Sequence, residues 1–289
     1  MASGEESMAK SRIDLAAFRR VIWSRYRKEG RHDLPWRKTH DPYRILVSEV
    51  MLQQTQVERV IPFYTAFIKK FPTASKLAAA PLSSVLTAWQ GLGYNRRAKM
   101  LWEASKEMRG KKRFSIEELE ALPGVGPYTA RAVAAFAYNE DAIFVETNIR
   151  TVVIHHFFPK KKIVHDRDIE KILAAALPAG KAREWYSALM DYGSHLKRSG
   201  ISHNAKSRAY IRQSAFKGSM REARGVIVRS LTKGPATAAS LMRLLGPGRK
   251  TQMRQALRTL RSEGLLELRA GRFSLPDADA GAGGGRSRG

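Results

Sequence analysis

The sequence predicts a mainly α-helical protein whose small second domain ends in a β-hairpin. From Ile13 to about Tyr210, apolar residues recur at spacings of three and four, as on the buried face of a helix, and strand-like alternation is scarce. Proline and glycine interrupt this pattern repeatedly, which divides it into many short helices. After residue 218 the pattern changes to helices followed by two short strand-like segments.

These changes of pattern give the predicted domain boundaries. We expect a disordered polar tail over residues 1–11 and a helical domain over residues 12–210. A polar linker over residues 211–218 leads to a small domain over residues 219–276, and a flexible basic tail covers residues 277–289.

Composition and charge favour a nucleic-acid partner. Lys and Arg outnumber Asp and Glu by 52 to 26, and the formal charge of +26 repels itself unless a polyanion neutralises it. The chain has no cysteine, so disulfides and metal sites built on thiolates are excluded. No apolar run approaches about 18 residues and the N-terminus lacks a signal peptide, so we expect a cytoplasmic, nucleoid-associated protein without a membrane partner.

The small domain reads as three helices followed by a hairpin around Ala270 and Gly271, which is the order of a winged helix-turn-helix module. The third helix has an apolar stripe formed by Met253, Ala256, Leu257 and Leu260. A separate basic stripe consists of Arg254, Arg258 and Arg261. We favour DNA as the partner of this basic stripe; the alternative is a solvated face on a module for protein contacts.

The stretch LPGVGPYTA, residues 122–130, predicts a tight Gly-x-Gly turn that opens a helix. Backbone N–H groups at such a turn, together with the positive end of the helix dipole, suit a phosphate. The candidate DNA contacts here are Gly124, Val125, Gly126 and Thr129. Taken alone, the motif could equally be an ordinary corner between helices.

Taken with other motifs, this stretch resembles the helix-hairpin-helix of the endonuclease III superfamily of base-excision DNA glycosylases. Four further stretches narrow the resemblance to the MutY adenine glycosylase branch: LPWR (34–37), DPYRILVSEVMLQQTQV (41–57), WQGLGYNRRAKML (89–101) and ALMDYG (188–193). The resemblance implies a two-lobed helix-hairpin-helix glycosylase fold. It also implies that the partner is double-stranded DNA with a mismatched or damaged base, and we expect a monomer.

The resemblance assigns catalytic roles to three residues. Glu49 would protonate the extruded base, and its otherwise uncharged helical run should raise its pKa. Glu146 stands where the family has an aspartate, so its carboxylate reaches roughly 1.5 Å further and would overshoot the sugar unless the backbone or rotamer compensates. Tyr128 takes the position of the lysine of bifunctional members, and a phenol cannot form a Schiff base.

Other residues would hold the DNA while the base is outside the stack. By resemblance, the pair Gln53 and Gln54 includes a residue that inserts into the duplex, and Tyr94 is an aromatic wedge. Arg96 and Arg97, just beyond the wedge, would contact phosphates.

Two departures from the family pattern concern its other parts. Relatives commonly carry the cysteines of an iron–sulfur cluster soon after ALMDYG, whereas this chain has none, so we expect no such cofactor. His195 and His203 are isolated in that segment and do not suggest a replacement metal site. We expect the chain to lack the larger C-terminal domain that helps the branch to read 8-oxoguanine, with the small domain in its place.

The sequence therefore predicts a monofunctional DNA glycosylase of base excision repair, with adenine opposite guanine or 8-oxoguanine as the first substrate. Removal of thymine or uracil from mismatches with guanine is the alternative within the same class. A non-catalytic DNA lesion-binding protein, with turnover lost through the change at Glu146, is the alternative from another class.

Overall fold

The computed structural model describes residues 2–206 and 215–277. Helices occupy most of this part of the chain, which confirms the predicted mainly α class. Before residue 206 the helices are α1 (Ala2–Glu29), α2 (Pro42–Leu52), α3 (Val57–Lys70), α4 (Ala74–Ala78), α5 (Leu82–Ala88), α6 (Asn95–Glu107), α7 (Ile116–Glu120), α8 (Pro127–Tyr138), α9 (Thr147–Phe157), α10 (Asp166–Ala176) and α11 (Ala182–Arg198). Short 3-10 helices cover Pro35–Lys38, Asn204–Lys206 and Pro247–Arg249.

The start of α1 differs from the expected tail. The sequence predicted disorder over residues 1–11, whereas α1 begins at Ala2. This segment is rich in Ala, Glu, Lys and Met, which are strong helix formers, so the helix extends beyond the apolar pattern that marked its start. Residues 211–214 of the predicted linker and residues 278–289 of the predicted basic tail lie outside the described residues.

The described chain divides into two compact units. Unit 1 consists of residues 2–45, 114–120 and 125–206, and unit 2 of residues 46–113, 121–124 and 215–277. The region predicted as one domain over residues 12–210 is thus divided between both units, and the predicted small domain belongs to unit 2. Within the two described ranges, no helix has the length and apolar character needed to cross a membrane.

The core of unit 1 forms where α9 and α11 pack together, with α1, α8 and α10 around them. The indole of Trp185 and the ring of Tyr186 are fully buried, and Tyr186 stacks on Phe144 with ring centroids 4.0 Å apart. Gly193 lets α11 approach α9 closely, because a Cβ at this position would lie 2.7 Å from the Cα atom of Asn148. The backbones of the two helices can therefore meet only where this residue has no side chain.

A carboxylate on α11 binds the segment after α1. Asp191 is 9% exposed and accepts hydrogen bonds from Arg31 Nε at 2.7 Å and from both terminal nitrogens of Arg37, at 2.7 and 3.0 Å. Burial alone would raise the pKa of Asp191, but the hydrogen bonds and charges of the two arginines outweigh it and hold the pKa below its ordinary value. This ion pair fixes the LPWR segment to the core of unit 1.

The C-terminal part of unit 2 contains α12 (Met220–Leu231), α13 (Ala238–Arg243) and α14 (Lys250–Ser262). An antiparallel sheet of β1 (Ala236–Thr237), β2 (Glu267–Arg269) and β3 (Arg272–Ser274) has the order β1-β3-β2. Both Ala270 and Gly271 have positive φ, +46° and +73°, which is the geometry of a two-residue hairpin turn. Three helices and a hairpin follow one another as predicted; that this C-terminal module is a winged helix stays an interpretation.

The two faces predicted for the third helix are found on α14. Met253, Ala256, Leu257 and Leu260 are buried, and they pack the helix against α12. Arg254, Arg258 and Arg261 are exposed. The basic stripe therefore faces away from the core of the module.

We predict that Asp191→Asn lowers the free energy of unfolding by about 3 kcal/mol, because it leaves Arg31 and Arg37 without their buried anion. Since the pKa of Asp191 is lowered in the folded state, its contribution is present above the pKa of an unfolded aspartate and is lost as the pH falls through the folded pKa. Urea denaturation followed by circular dichroism at neutral and acidic pH measures both effects.

The control is Asp168→Asn, which removes a partly exposed carboxylate 3.9 Å from Lys161. This change should cost less than about 1 kcal/mol. Equal losses of stability in the two variants would contradict the assigned role of Asp191.

Candidate active site

Glu49 is buried on α2. The carboxylate of Asp41 accepts the backbone N–H of Tyr43 at 2.9 Å, which caps the first turn of the helix. Apolar residues lie on most sides of the helix, so it is buried over most of its length, with Leu46, Val47, Val50 and Met51 in the core. Glu49 is only 6% exposed among them, which confirms the apolar setting predicted for this acid.

The segments after α2 and before α6 have an unusual backbone. Gln54 and Tyr94 adopt left-handed conformations, with φ of +55° and +48°. A non-glycine residue in this region costs about 1–3 kcal/mol, and such residues concentrate at functional sites. Gln54 is exposed, and Gln53 and Tyr94 are partly exposed, so all three predicted DNA contacts reach the surface of unit 2.

Arg97 holds these two segments together. Its Nη1 atom donates to the carbonyls of Val50 at 2.7 Å and Gln53 at 2.5 Å, and its Nη2 atom donates to Leu92 at 3.3 Å. Its guanidinium also lies 5.2 Å from the centre of the Tyr94 ring. Burial lowers the pKa of Arg97 to about 10. The guanidinium predicted to bind phosphate therefore stabilises the backbone beside Glu49, whereas its neighbour Arg96 is exposed.

The C-terminal module reaches Tyr94 through α12. Arg221 Nη1 donates to the Tyr94 hydroxyl at 3.0 Å, and the guanidinium lies 5.3 Å from the ring centre. Lys99 Nζ donates to the carbonyl of Glu263 at the end of α14, at 2.6 Å. A cleft of about 530 Å³ lies beside these contacts, and its lining includes Gln53, Tyr94, Met100, Gly124, Arg221 and Arg224. The module thus borders the same cleft as the predicted wedge and insertion residue.

The Gly-x-Gly turn is tightly packed at its first glycine. Gly124 has φ of +76°, and a Cβ there would lie 2.7 Å from the Cβ of Met100. Gly126 caps α8. The side chains of Val125 and Thr129 are buried, at 8% and 3% exposure. A phosphate contact by these two residues would therefore involve backbone N–H groups. The N–H of Thr129 is in the first turn of α8, where backbone donors have no acceptor inside the helix.

Glu146 caps α9 with its own side chain. Its Oε2 atom accepts the backbone N–H of Asn148 at 2.7 Å, and its Oε1 atom accepts the Thr147 hydroxyl at 2.6 Å and the Asn148 side-chain amide at 3.1 Å. The longer side chain therefore folds back over the start of its own helix. Because the side chain folds back, its additional methylene does not carry the carboxylate further out from the start of the helix.

Tyr128 lies in the first turn of α8 and is partly buried. Its ring meets the Phe144 ring edge to face, with centroids 5.6 Å apart. This packing fixes the position of the phenol. By the resemblance described above, bifunctional members of the superfamily have a lysine at this position.

The segment after Gly193 does not fit an iron–sulfur cluster held by thiolates, since the chain has no cysteine. Instead, His203 stacks on His155 with centroids 5.9 Å apart. Lys206 accepts the backbone N–H of Val164 at 3.1 Å through its carbonyl, and its Nζ donates to Pro159 at 2.8 Å. Over the described ranges, no group of three or more His, Cys, Asp or Glu side chains is arranged to hold a metal ion.

Comparison with known proteins identifies the family. Residues 47–179 match the HhH-GPD superfamily of base excision DNA repair proteins. The adenine DNA glycosylase of Mycolicibacterium smegmatis is 38% identical over 272 residues, which are 85% of this chain and 92% of that protein. The chain belongs to the MutY-like branch of this superfamily. The resemblance predicted from the motifs is confirmed.

Further comparisons agree with this assignment. The adenine DNA glycosylase of Buchnera aphidicola subsp. Baizongia pistaciae is 36% identical over 185 residues, and the match spans 61% of this chain and 52% of that protein. The structure of a thermostable thymine-DNA glycosylase aligns with a TM-score of 0.55 and 26% identity over 63% of this chain and 87% of that one. The predicted helix-hairpin-helix glycosylase fold is therefore confirmed.

Two residues of the MutY-like site, Arg97 and Arg221, have structural roles that the sequence did not predict. Arg97 was assigned to phosphate because it follows the GLGY motif, and nothing in the sequence indicates its carbonyl acceptors. Arg221 lies in a module assigned only to the basic stripe, yet it contacts Tyr94.

We predict that Arg97→Met lowers the free energy of unfolding by about 2 kcal/mol, because it leaves the carbonyls of Val50 and Gln53 without their donor. Arg96→Met is the matched control, since this neighbouring arginine is exposed and should change stability by less than about 0.5 kcal/mol. Urea denaturation measures both variants. If Arg97→Met proves as stable as the control, the carbonyl contacts do not support the segment.

Proposed function

We propose that the protein is a monofunctional DNA N-glycosylase that removes adenine mispaired with guanine or 8-oxoguanine. The burial of Glu49 on α2 carries this proposal, because a carboxyl group in an apolar helix is suited to general acid catalysis. The substrate follows from the relatives, which are named adenine DNA glycosylases. In this proposal the enzyme acts as a monomer on chromosomal DNA in the cytoplasm.

In the proposed reaction, Glu49 donates a proton to a ring nitrogen of the flipped adenine. The bond between the base and the sugar C1′ atom breaks, and its electron pair leaves with the base. The carboxylate of Glu146 stabilises the positive charge that develops on the sugar. Water then attacks C1′ and releases a proton, which gives free adenine and an abasic site.

The capping bonds of Glu146 serve this role by fixing its orientation. Two donors from Asn148 and one from Thr147 hold the carboxylate, so it need not be reorganised when charge develops on the sugar. Tyr128 supplies no amine at the hairpin, which supports hydrolysis without strand cleavage through an imine.

The DNA contacts divide into two groups. Gln53, Gln54 and Tyr94 would fill the space that the extruded base leaves in the duplex, and the turn from Gly124 to Gly126 with Arg96 would bind phosphates. The basic stripe of the C-terminal module would add further phosphate contacts. The left-handed backbone of Gln54 and Tyr94 supports the first group, since strain of this kind concentrates at functional sites.

The substrate is tested with duplexes that contain single A:G, A:8-oxoguanine, T:G or U:G pairs, followed by alkali to cleave abasic sites. We predict that the wild type yields bands from the two adenine duplexes and that Glu49→Gln lowers the single-turnover rate by about 10²–10⁴-fold with little change in DNA binding, because an amide cannot donate an acidic proton. Glu58→Gln is the control, since Glu58 is exposed on α3.

Each other outcome rejects a stated part of the proposal. Bands only from the T:G or U:G duplex would assign the protein to thymine or uracil removal. DNA retardation without bands from any duplex would make it a non-catalytic lesion-binding protein. A rate for Glu49→Gln within a few-fold of the wild type would remove Glu49 from the chemistry.

We further predict that replacing Arg254, Arg258 and Arg261 with Gln weakens DNA binding and flattens its salt dependence. Each lost phosphate contact should reduce the slope of log K against log salt by about 0.9. The matched control replaces Lys160, Lys161 and Lys162 with Gln. These substitutions remove the same amount of positive charge from an exposed loop of unit 1. If the two triple variants have the same slope, the basic stripe makes no particular contact with DNA.

A further inference from the structure

A lysine outside the proposed catalytic set lies beside the segment that carries Glu146. Gly193 brings α11 against the backbone of Asn148 at the start of α9. Lys197 is one helical turn further along α11, so it lies on the same face of the helix as Gly193. The close approach of the two helices therefore directs the lysine side chain to the N-terminus of α9.

The contacts of Lys197 form a short chain to the carboxylate. Its Nζ atom donates to the Thr147 hydroxyl oxygen at 3.0 Å, and this hydroxyl donates to Glu146 Oε1 at 2.6 Å. Thr147 can serve both partners, because a hydroxyl accepts through its oxygen while donating its proton. The ammonium is thus linked to Glu146 by one bridging side chain.

The charged groups that act on Lys197 lie at the start of α9. Burial is the larger influence and lowers the pKa of Lys197, while Glu146 raises it and Arg150 lowers it. Arg150 is in turn neutralised by Asp166 of α10, to which it donates two hydrogen bonds at 3.1 and 2.8 Å. Glu146 therefore remains as the acidic partner of Lys197 at this end of α9.

We propose that Lys197 is a positioning residue for the glycosylase reaction, whose ammonium holds the Thr147 hydroxyl against Glu146 and stabilises the anionic form of that carboxylate. The inference rests on the proposed function, since it assigns Lys197 a role only through Glu146. A neutral side chain would pack at this position without the cost of burying a charge. The ammonium instead contacts, through Thr147, the carboxylate at the start of α9.

The experiment compares wild type, Lys197→Met and Lys197→Arg in single-turnover excision of adenine between acidic and neutral pH. An opposite charge nearby favours the ionised carboxylate, so its removal should move the midpoint of the acidic limb of the pH–rate profile upward by about one unit. At pH values below both midpoints the rate of Lys197→Met should then be about tenfold lower than that of the wild type. Lys197→Arg keeps the charge and should restore the wild-type profile.

Lys206→Met is the matched control, because this lysine also donates to the protein, at the carbonyl of Pro159, but is not linked to Glu146. Affinity for product DNA and the melting temperature are measured for all variants. If Lys197→Met melts below the assay temperature, Lys197→Gln replaces it, with the same expected shift of the acidic limb.

The outcomes separate the inference from the function on which it rests. A wild type that releases no adenine would reject the proposed function. A wild type that releases adenine, together with an unmoved acidic limb in the neutral variants or a shift of the same size in Lys206→Met, would overturn the inference alone. Lower activity at every pH without a shift would mean a structural role and would also overturn it.

Discussion

The contact between α9 and α11 at Gly193 is the constraint on which the site in unit 1 depends. A Cβ atom at this position would enter the backbone of Asn148, so any other residue would separate the two helices. The start of α9 carries Glu146, and the last turn of α11 carries Lys197. Asp191, two residues before Gly193 on α11, binds the arginines after α1. One helix therefore joins the N-terminal segment, the core and the proposed catalytic carboxylate.

In unit 2, hydrogen bonds from a partly buried arginine hold the candidate site residues in place. Gln54 after α2 and Tyr94 before α6 have left-handed backbone conformations, which do not belong to a regular helix or strand. Backbone carbonyls beside them therefore need hydrogen-bond donors from elsewhere in the protein. Arg97 supplies them with one planar guanidinium, a geometry that a lysine cannot reproduce. Its neighbour Arg96 is exposed. Of these two adjacent arginines, one therefore binds backbone carbonyls inside the protein and the other lies at the surface. Burial of the Arg97 charge is tolerated because carbonyl dipoles surround it.

The sequence was sufficient for features that depend on local pattern. The apolar run around Glu49, the Gly-x-Gly turn, and the buried and basic faces of α14 are each contained in one continuous stretch, and the structure has them where they were predicted. The roles of Arg97 and Lys197 could not be predicted in this way, because their partners Gln53 and Thr147 are 44 and 50 residues away in the chain. Periodicity indicates which face of a helix is buried, but it does not indicate which distant backbone lies against that face.

Glu146, which stands where the family has an aspartate, is held by a contact with a residue far away in the sequence. A shorter side chain could cap α9 by itself, whereas Glu146 must fold back to reach the N–H of Asn148. In that arrangement its second oxygen lies beside the Thr147 hydroxyl, and this hydroxyl is held from α11 by Lys197. The carboxylate of the longer side chain is thus linked to α11 by hydrogen bonds through Thr147. The longer acid and the lysine form one unit of structure, and the orientation of the carboxylate depends on both.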